Sequence, residues 1–154
     1  MKHIIDRFKL YFNKSKDYEE LRSYPLFANL DNYDLFLLWQ RMHQRTYRSG
    51  ETLYEDGYPV EVFYFIFEGE VELRRTAAPN EITLITKGMH LGLRDLYFNQ
   101  MRNGTATAKT AVTVHALSHN DFKEYIETRP KTGLILLEDI CREFAQVIFG
   151  EHEG

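Results

Sequence analysis

The sequence predicts an α+β protein in which helices flank a β-roll or barrel. Apolar residues recur at helical spacing near both ends of the chain, over residues 2–22 and 134–148. Between residues 46 and 92, short β-prone runs alternate with turn signals about every 8–12 residues. A glycine-bounded loop at residues 88–108 then interrupts the strands and has room for one or two helical turns.

The bulk composition is that of an ordinary soluble globule. The 154 residues suit one domain, or one domain with a helical extension, and 44% of them are apolar against 27% charged. The formal net charge is −4 and no dense Lys/Arg patch is present, which argues against nucleic acid as a partner. No apolar run reaches the ~18 residues of a membrane span and no signal peptide is visible. We therefore expect no membrane contact and a cytoplasmic location.

The beginning of the chain is predicted to be helical. Residues 2–22 form an amphipathic pattern whose apolar face we expect to pack on the body of the protein or on a partner. Asp31 is the expected N-cap of the next helix. The inner stripe of that helix is predicted to be Leu35, Leu38, Trp39 and Met42.

Turn signals divide the middle of the chain into strands. They fall at Ser49-Gly50, Asp56-Gly57, Glu68-Gly69 and Pro79-Asn80. The run "VFYFIFEG" is almost entirely apolar and predicts a buried strand, whereas the alternation in "EVELRR" predicts a strand with one wet face. After the glycine-bounded loop, "TAKTAVTVHALS" is predicted to form a further strand.

Two helices are predicted to follow the strands. Ser118 or Asn120 caps the first, and Pro130 ends it. Cys141, the single cysteine, excludes an internal disulfide and is expected to be a buried helical thiol. The second helix has a 3-4-3-4 apolar pattern, about two heptads long, which we expect to be the surface of a homodimer. This pattern, the apolar seam, consists of Leu134, Leu137, Cys141, Phe144 and Ile148.

No constellation in the sequence requires an enzyme. The six histidines are scattered, and neither GxSxG nor GxxxxGK[ST] occurs. His115 is predicted to be a packed strand residue rather than a ligand, and the glutamates at positions 68, 70 and 72 to lie along a solvated strand edge. We therefore expect no catalytic residue, no metal and no cofactor.

The loop "GMHLGLRDLYFNQMRNGTATA", residues 88–108, has the features of a phosphate cradle. A glycine before a short helix permits close backbone approach, and the first amides of a helix attract anions. Arg102 on the returning segment adds a charged fork suited to a phosphate. Small residues after it leave room for a ligand.

Together these stretches resemble the cyclic-nucleotide-binding domain family, which includes catabolite-activator-type regulators and protein kinase A regulatory subunits. "YRSGETLYEDG" is similar to a turn of the family, and "FYFIFEGEVEL" to its strand pair. "RNGTATAKTAVTVHALSHNDF" is similar to the segment that begins at the family's phosphate-binding arginine. The spacing from Gly92 to Arg102 matches its phosphate-binding cassette. The resemblance implies an antiparallel, jelly-roll-like β-roll with a short cassette helix and two C-terminal helices. It implies a domain at residues 24–150 behind a helical extension at 1–23.

The resemblance also implies a ligand, cAMP or cGMP. Arg102 would pair with the cyclic phosphate, and Thr105 would lie near the base. Backbone amides would complete the cradle around Gly92, Leu93, Asp95 and Asn103.

Leu93 departs from the family pattern. The family usually has a glutamate there, which accepts a hydrogen bond from the ribose 2′-hydroxyl. Such a bond is worth roughly 1.5–3 kcal/mol, or about ten- to hundredfold in affinity. Asp95 would lie in the first turn of the insert, where its carboxylate competes with the ligand anion. In the last helix, Val147 and Ile148 could pack on a base but could not hydrogen-bond to its edge.

Two classes of function remain open at this point. The first is a regulatory sensor that binds a cyclic nucleotide weakly, or another phosphate-bearing molecule, and signals through a protein contact. The second is a degenerate domain that has lost ligand binding and serves protein interaction or dimerisation, in which case Asp95 or another carboxylate pairs with Arg102. Only residues 151–154 follow the last helix, so no DNA-binding domain is expected.

Overall fold

The computed structural model describes residues 17–150, which form two compact units. Among the described residues, one unit contains 17–41 and 129–150, and the other contains 42–128. Most of the predicted helix at residues 2–22 lies outside the described residues, including its apolar positions Ile4, Ile5, Phe8, Tyr11 and Phe12. The boundary predicted between residues 23 and 24 stays a prediction.

The first unit is helical. Two short 3₁₀ helices, Tyr18–Ser23 and Pro25–Phe27, precede α1 at Asn32–Trp39. The Asp31 side chain accepts the Asp34 N–H at 2.8 Å, which confirms it as the N-cap. The predicted Leu35 and Leu38 are fully buried in this helix.

The helix α1 ends at Trp39, so Met42 does not belong to its stripe as predicted. Met42 instead begins the first strand, four residues before the predicted start of the β-region, and pairs with Leu117. Met42 continues the apolar spacing of α1, but pairing of residues 42–47 with a distant strand determines their conformation.

The long helix α4, Pro130–Gly150, buries a different face from the predicted apolar seam. Its buried residues are Thr132, Gly133, Leu136 and Ile140, whereas Leu134 and Ile148 are each 58% exposed. Cys141 is exposed, so its predicted burial was wrong. The stretch "GLILLEDI" is apolar on two adjacent faces, and the small Gly133 and Thr132 permit close packing on one of them. Periodicity alone could not decide between the two faces.

The second unit contains eight strands: β1 Met42–Tyr47, β2 Thr52–Tyr54, β3 Val62–Glu68, β4 Val71–Arg75, β5 Ile82–Ile85, β6 His90–Leu91, β7 Gly104–Ala108 and β8 Val112–Ser118. They form two four-stranded antiparallel sheets, in the orders β1-β8-β3-β6 and β2-β7-β4-β5. Apolar side chains from both sheets share one core. This arrangement confirms the predicted α+β class with an antiparallel β-roll, and the sheets do not close into a barrel.

The predicted turns agree with the structure, with one addition. "TAKTAVTVHALS" forms the end of β7 and all of β8 rather than one strand. The sequence has no turn signal at residues 109–111. The chain reverses there because hydrogen bonds to a distant turn hold it. The Lys109 N–H donates to the Glu70 carbonyl at 2.8 Å, and the Glu70 N–H donates to the Thr110 hydroxyl at 3.0 Å.

Two helices complete this unit. The cassette helix α2, Leu93–Phe98, lies between β6 and β7 as predicted. Helix α3, His119–Thr128, is capped by the preceding Ser118, whose hydroxyl accepts the Asp121 N–H at 3.0 Å and donates to the Asp121 carboxylate. Phe122 of α3 packs edge-to-face on Phe63 of β3. None of the helices within residues 17–150 is long and apolar enough to cross a membrane.

Candidate functional site

Arg102 lies just before β7 and is almost completely buried, with 4% of its surface exposed. Its backbone is fixed by the loop that joins β2 to β3. The Arg102 N–H donates to the Tyr58 carbonyl at 2.7 Å, and the Arg102 carbonyl accepts the Gly57 N–H at 2.9 Å. These two bonds define the direction in which the side chain leaves the backbone.

The guanidinium of Arg102 has two defined contacts and one unsatisfied edge. Nη2 donates to the Val62 carbonyl at 2.5 Å, and Cζ lies 3.8 Å from the centre of the Tyr54 ring. Nη1 is buried and has no hydrogen-bond partner among the described residues. A buried donor without an acceptor is unfavourable, and more so when it is charged. This edge is therefore the strongest indication of an anion site in the described part of the chain.

Gly92 shapes the space beside that edge. It stands directly before α2 with a φ of +108°, and a Cβ built on it would lie 2.6 Å from Arg102 Nη1. Any other residue would therefore be strained in its backbone and would press against the guanidinium. Glycine at this position keeps the cassette backbone close to the cation.

Gly92→Ala is expected to destabilise the protein by more than the roughly 1–2 kcal/mol of an alanine at positive φ alone. The excess comes from displacing the buried guanidinium. Urea unfolding measures both contributions when Gly57→Ala is the control, because Gly57 also has a positive φ, +78°, but has no atom within 4 Å of its Cβ position. Equal losses of unfolding free energy for Gly92→Ala and Gly57→Ala would contradict the close packing of Gly92 against the Arg102 guanidinium.

Asp95 lies in the first turn of α2 and is buried. Its carboxylate accepts the backbone N–H of Asn103. Burial raises the pKa of this carboxyl, and the cations Arg102, Arg75 and Arg94 oppose that shift. The carboxylate does not hydrogen-bond to the Arg102 guanidinium: Nη2 donates to Val62 and Nη1 has no partner within residues 17–150. The pairing expected for a degenerate site is thus not seen there.

The remaining predicted residues lie around this centre but differ in their surroundings. Leu93 is fully buried and does not line the cavity described below. The backbone N–H of Asn103 donates to the Asp95 carboxylate. The side-chain oxygen of Asn103 accepts from Arg75 Nη1 at 3.1 Å. The Thr105 hydroxyl accepts the Asp56 N–H at 3.2 Å. The structure therefore brings the six residues to one region, while their roles toward a ligand stay predictions.

A cavity of about 530 Å³ is lined in part by Arg102. Its volume lies within the ~300–1,000 Å³ typical of small-molecule sites. Its walls include two cations, two carboxylates and three aromatic rings, contributed by Arg45, Arg102, Glu55, Glu61, Tyr54, Tyr58 and Tyr64. Apart from Arg102, sequence reasoning did not find this lining, because it combines strand and loop residues that the sequence did not link to one another.

Two of the three aromatic rings that line the cavity, those of Tyr54 and Tyr64, are stacked. The Tyr54 and Tyr64 ring centres are 6.1 Å apart with an interplanar angle of 19°. Burial raises the pKa of both phenols, so both are neutral at physiological pH. The wall nearest Arg102 is consequently an uncharged aromatic surface with a cation resting on it.

The fold and this arginine-centred cassette define the class of the protein. The family model of the cyclic nucleotide-binding domain matches residues 44–129. The chain belongs to this family, as the sequence predicted.

Several relatives share this domain. The chain is 33% identical over 104 residues to the cAMP-dependent protein kinase type II regulatory subunit of Drosophila melanogaster, covering 66% of this chain and 28% of that protein. It superposes on the N-terminal domain of a transcriptional regulator from Streptomyces coelicolor A3(2) with a TM-score of 0.70 and 30% identity, covering 84% and 92% of the two chains. The chain thus spans about 28% of the length of the curated relatives it matches. Such relatives are regulatory subunits and transcription regulators, which is consistent with a regulatory domain.

A more distant structure shares the fold alone. The regulatory subunit of a cAMP-independent protein kinase A from Trypanosoma brucei superposes with a TM-score of 0.75 at 20% identity, covering 93% of this chain and 50% of that one. Since the chain matches only part of several relatives, the earlier expectation of no DNA partner stays a prediction.

Proposed function

We propose that this domain is a regulatory sensor that binds a cyclic nucleotide, cAMP or cGMP, through Arg102 and the cassette at residues 88–108, and that it signals by protein contact. The single observation behind this proposal is the buried Nη1 edge of Arg102, which has no acceptor within the described residues. A cyclic phosphate would supply that acceptor and neutralise the buried charge.

The binding is proposed to be weak. Leu93 offers no acceptor for a ribose hydroxyl, and its side chain is fully buried. The loss of one charged hydrogen bond lowers affinity by about ten- to hundredfold. The Asp95 carboxylate also lies in the cassette and engages the Asn103 amide that the cradle would offer.

A second candidate is a domain that has lost its ligand and keeps the fold for protein interaction, against which stands the missing carboxylate partner of Arg102 within residues 17–150. The engaged Asn103 amide and the buried Leu93 favour it. A relative of the same fold is described as the regulatory subunit of a cAMP-independent kinase. The exposed Leu134, Cys141 and Ile148 would be available for a homodimer in this case.

Titration calorimetry on the whole chain distinguishes the two candidates. We expect saturable heat with cAMP or cGMP and none with adenosine or guanosine, which lack the phosphate. No heat with either cyclic nucleotide at millimolar concentration would contradict the proposal. Heat with 5′-AMP and inorganic phosphate alone would assign the Arg102 edge to a different phosphate ligand.

A further inference from the structure

We infer that Tyr54 is a positioning residue that holds the Arg102 guanidinium in the orientation needed for anion binding. The nature of the anion rests on the proposed function, whereas the placement of the guanidinium does not. No motif of the sequence indicates such a role for Tyr54, which lies on β2, 48 positions before Arg102.

The geometry is that of a cation held on an aromatic face. Arg102 Cζ is 3.8 Å from the Tyr54 ring centre, well inside the ~6 Å range of a cation–π contact. The Tyr64 ring lies parallel to Tyr54 and has its centre 5.6 Å from the same Cζ. The ring of Tyr54 is itself packed on the shared core of the two sheets. The guanidinium therefore rests on a fixed surface.

An aromatic face stabilises the cation without occupying its hydrogen-bond donors. A carboxylate would pair with the in-plane N–H groups and would repel an incoming anion. The ring attracts the charge from above the plane, so the donors stay available. Nη2 is held by the Val62 carbonyl, and Nη1 is left beside Gly92. The face and one edge are thus fixed, and the other edge is directed at the cassette.

This arrangement lowers the entropy that a ligand must remove on binding. A solvated arginine side chain samples many rotamers, and ordering it reduces affinity. A guanidinium already stacked on Tyr54 has lost that freedom in the folded protein. The affinity of the site for an anion should therefore depend on the Tyr54 ring, although the ring is assigned no contact with the anion.

The binding test compares substitutions at two tyrosines. Tyr54→Leu is expected to weaken cAMP or cGMP binding by about tenfold or more, because the cation–π contact is lost. Tyr54→Phe keeps the ring and should stay within about threefold of the parent. Tyr47→Leu is the matched control, because Tyr47 also packs on Tyr64 and the shared core but has no assigned contact with Arg102. Equal losses for Tyr47→Leu and Tyr54→Leu would overturn the inference.

A ligand-free double-mutant cycle tests the placement independently. Urea midpoints are measured for Tyr54→Leu, Arg102→Met and the double variant. We expect the midpoint shift caused by Tyr54→Leu to be smaller when Arg102 is already replaced, while the shift from Tyr47→Leu is unchanged. Additive shifts would overturn the inference. Tyr54→Met, whose unbranched side chain fills irregular space more readily, replaces Tyr54→Leu if that variant does not fold.

The two experiments separate this inference from the proposed function. A parent protein that binds neither nucleotide contradicts the proposed function, and the unfolding cycle alone then decides whether Tyr54 holds Arg102. A parent that binds a nucleotide but shows additive midpoint shifts keeps the proposed function and removes the role of Tyr54.

Discussion

Arg102→Met is expected to weaken cyclic-nucleotide binding by at least about a hundredfold while changing the free energy of unfolding by no more than about 1 kcal/mol. Binding is lost because the substitution removes the guanidinium that would bind the phosphate. Its Nη1 is the only buried side-chain nitrogen or oxygen without a hydrogen-bond partner within residues 17–150. Stability is retained because replacing a buried, partly unsatisfied charge by an apolar side chain of similar length is often neutral. The lost bond to the Val62 carbonyl is offset by removal of the unpaired Nη1.

Calorimetry and urea unfolding on the same preparations measure the two quantities. Arg74→Met is the control, because Arg74 lies on β4 with more than half of its side chain exposed and does not line the cavity. That variant should bind as the parent does. Retained nucleotide binding by Arg102→Met would remove the cassette arginine from the site.

Asp95→Asn is expected to tighten cyclic-nucleotide binding by about tenfold near neutral pH and to flatten its pH dependence. In the parent protein, the ionised Asp95 repels the ligand anion, whereas the protonated form does not. Burial raises the pKa of Asp95 above its ordinary value of 3.8, with Arg102, Arg75 and Arg94 opposing the shift. Affinity should therefore rise as the pH falls through this raised pKa.

The raised pKa of Asp95 also determines the direction in which the free energy of unfolding changes with pH. A carboxyl whose pKa is raised by folding binds more protons in the folded state than in the unfolded state, so stability falls as the pH rises from about 3.8 through the folded pKa. Asp95→Asn should remove this loss of stability, since an amide oxygen can still accept the Asn103 N–H.

Binding and unfolding measured from pH 4 to pH 8 test both the affinity and the stability predictions for Asp95. Glu72→Gln, a partly exposed carboxylate paired with Arg74, is the control. A parent-like pH profile for Asp95→Asn would show that another group titrates.

Local signals in the sequence were sufficient for much of the fold. Asp31 and Ser118 cap the helices predicted for them, because a cap is made by residues within three positions of each other. The turn glycines that the sequence placed between strands have positive φ, which few other residues adopt. The spacing from Gly92 to Arg102 likewise placed a short helix and a buried cation in one region.

Features that depend on distant contacts could not be predicted. The prediction of which face of α4 is buried was wrong, because two adjacent faces of the helix are apolar. Only packing selects the face with Leu136 and Ile140. The strand break near Lys109 depends on hydrogen bonds of Lys109 and Thr110 with the Glu70 backbone, about 40 positions away. The stacking of Arg102 on Tyr54 joins two segments whose sequences do not indicate each other.

The exposed position of Cys141 provides a natural attachment point for a reporter. It is the only thiol in the sequence and lies at the middle of α4, on the face that its own unit does not bury. A thiol-reactive fluorophore would therefore modify one defined position without any engineered cysteine. Emission from that dye during a nucleotide titration would follow the environment of the last helix, independently of the heat of binding.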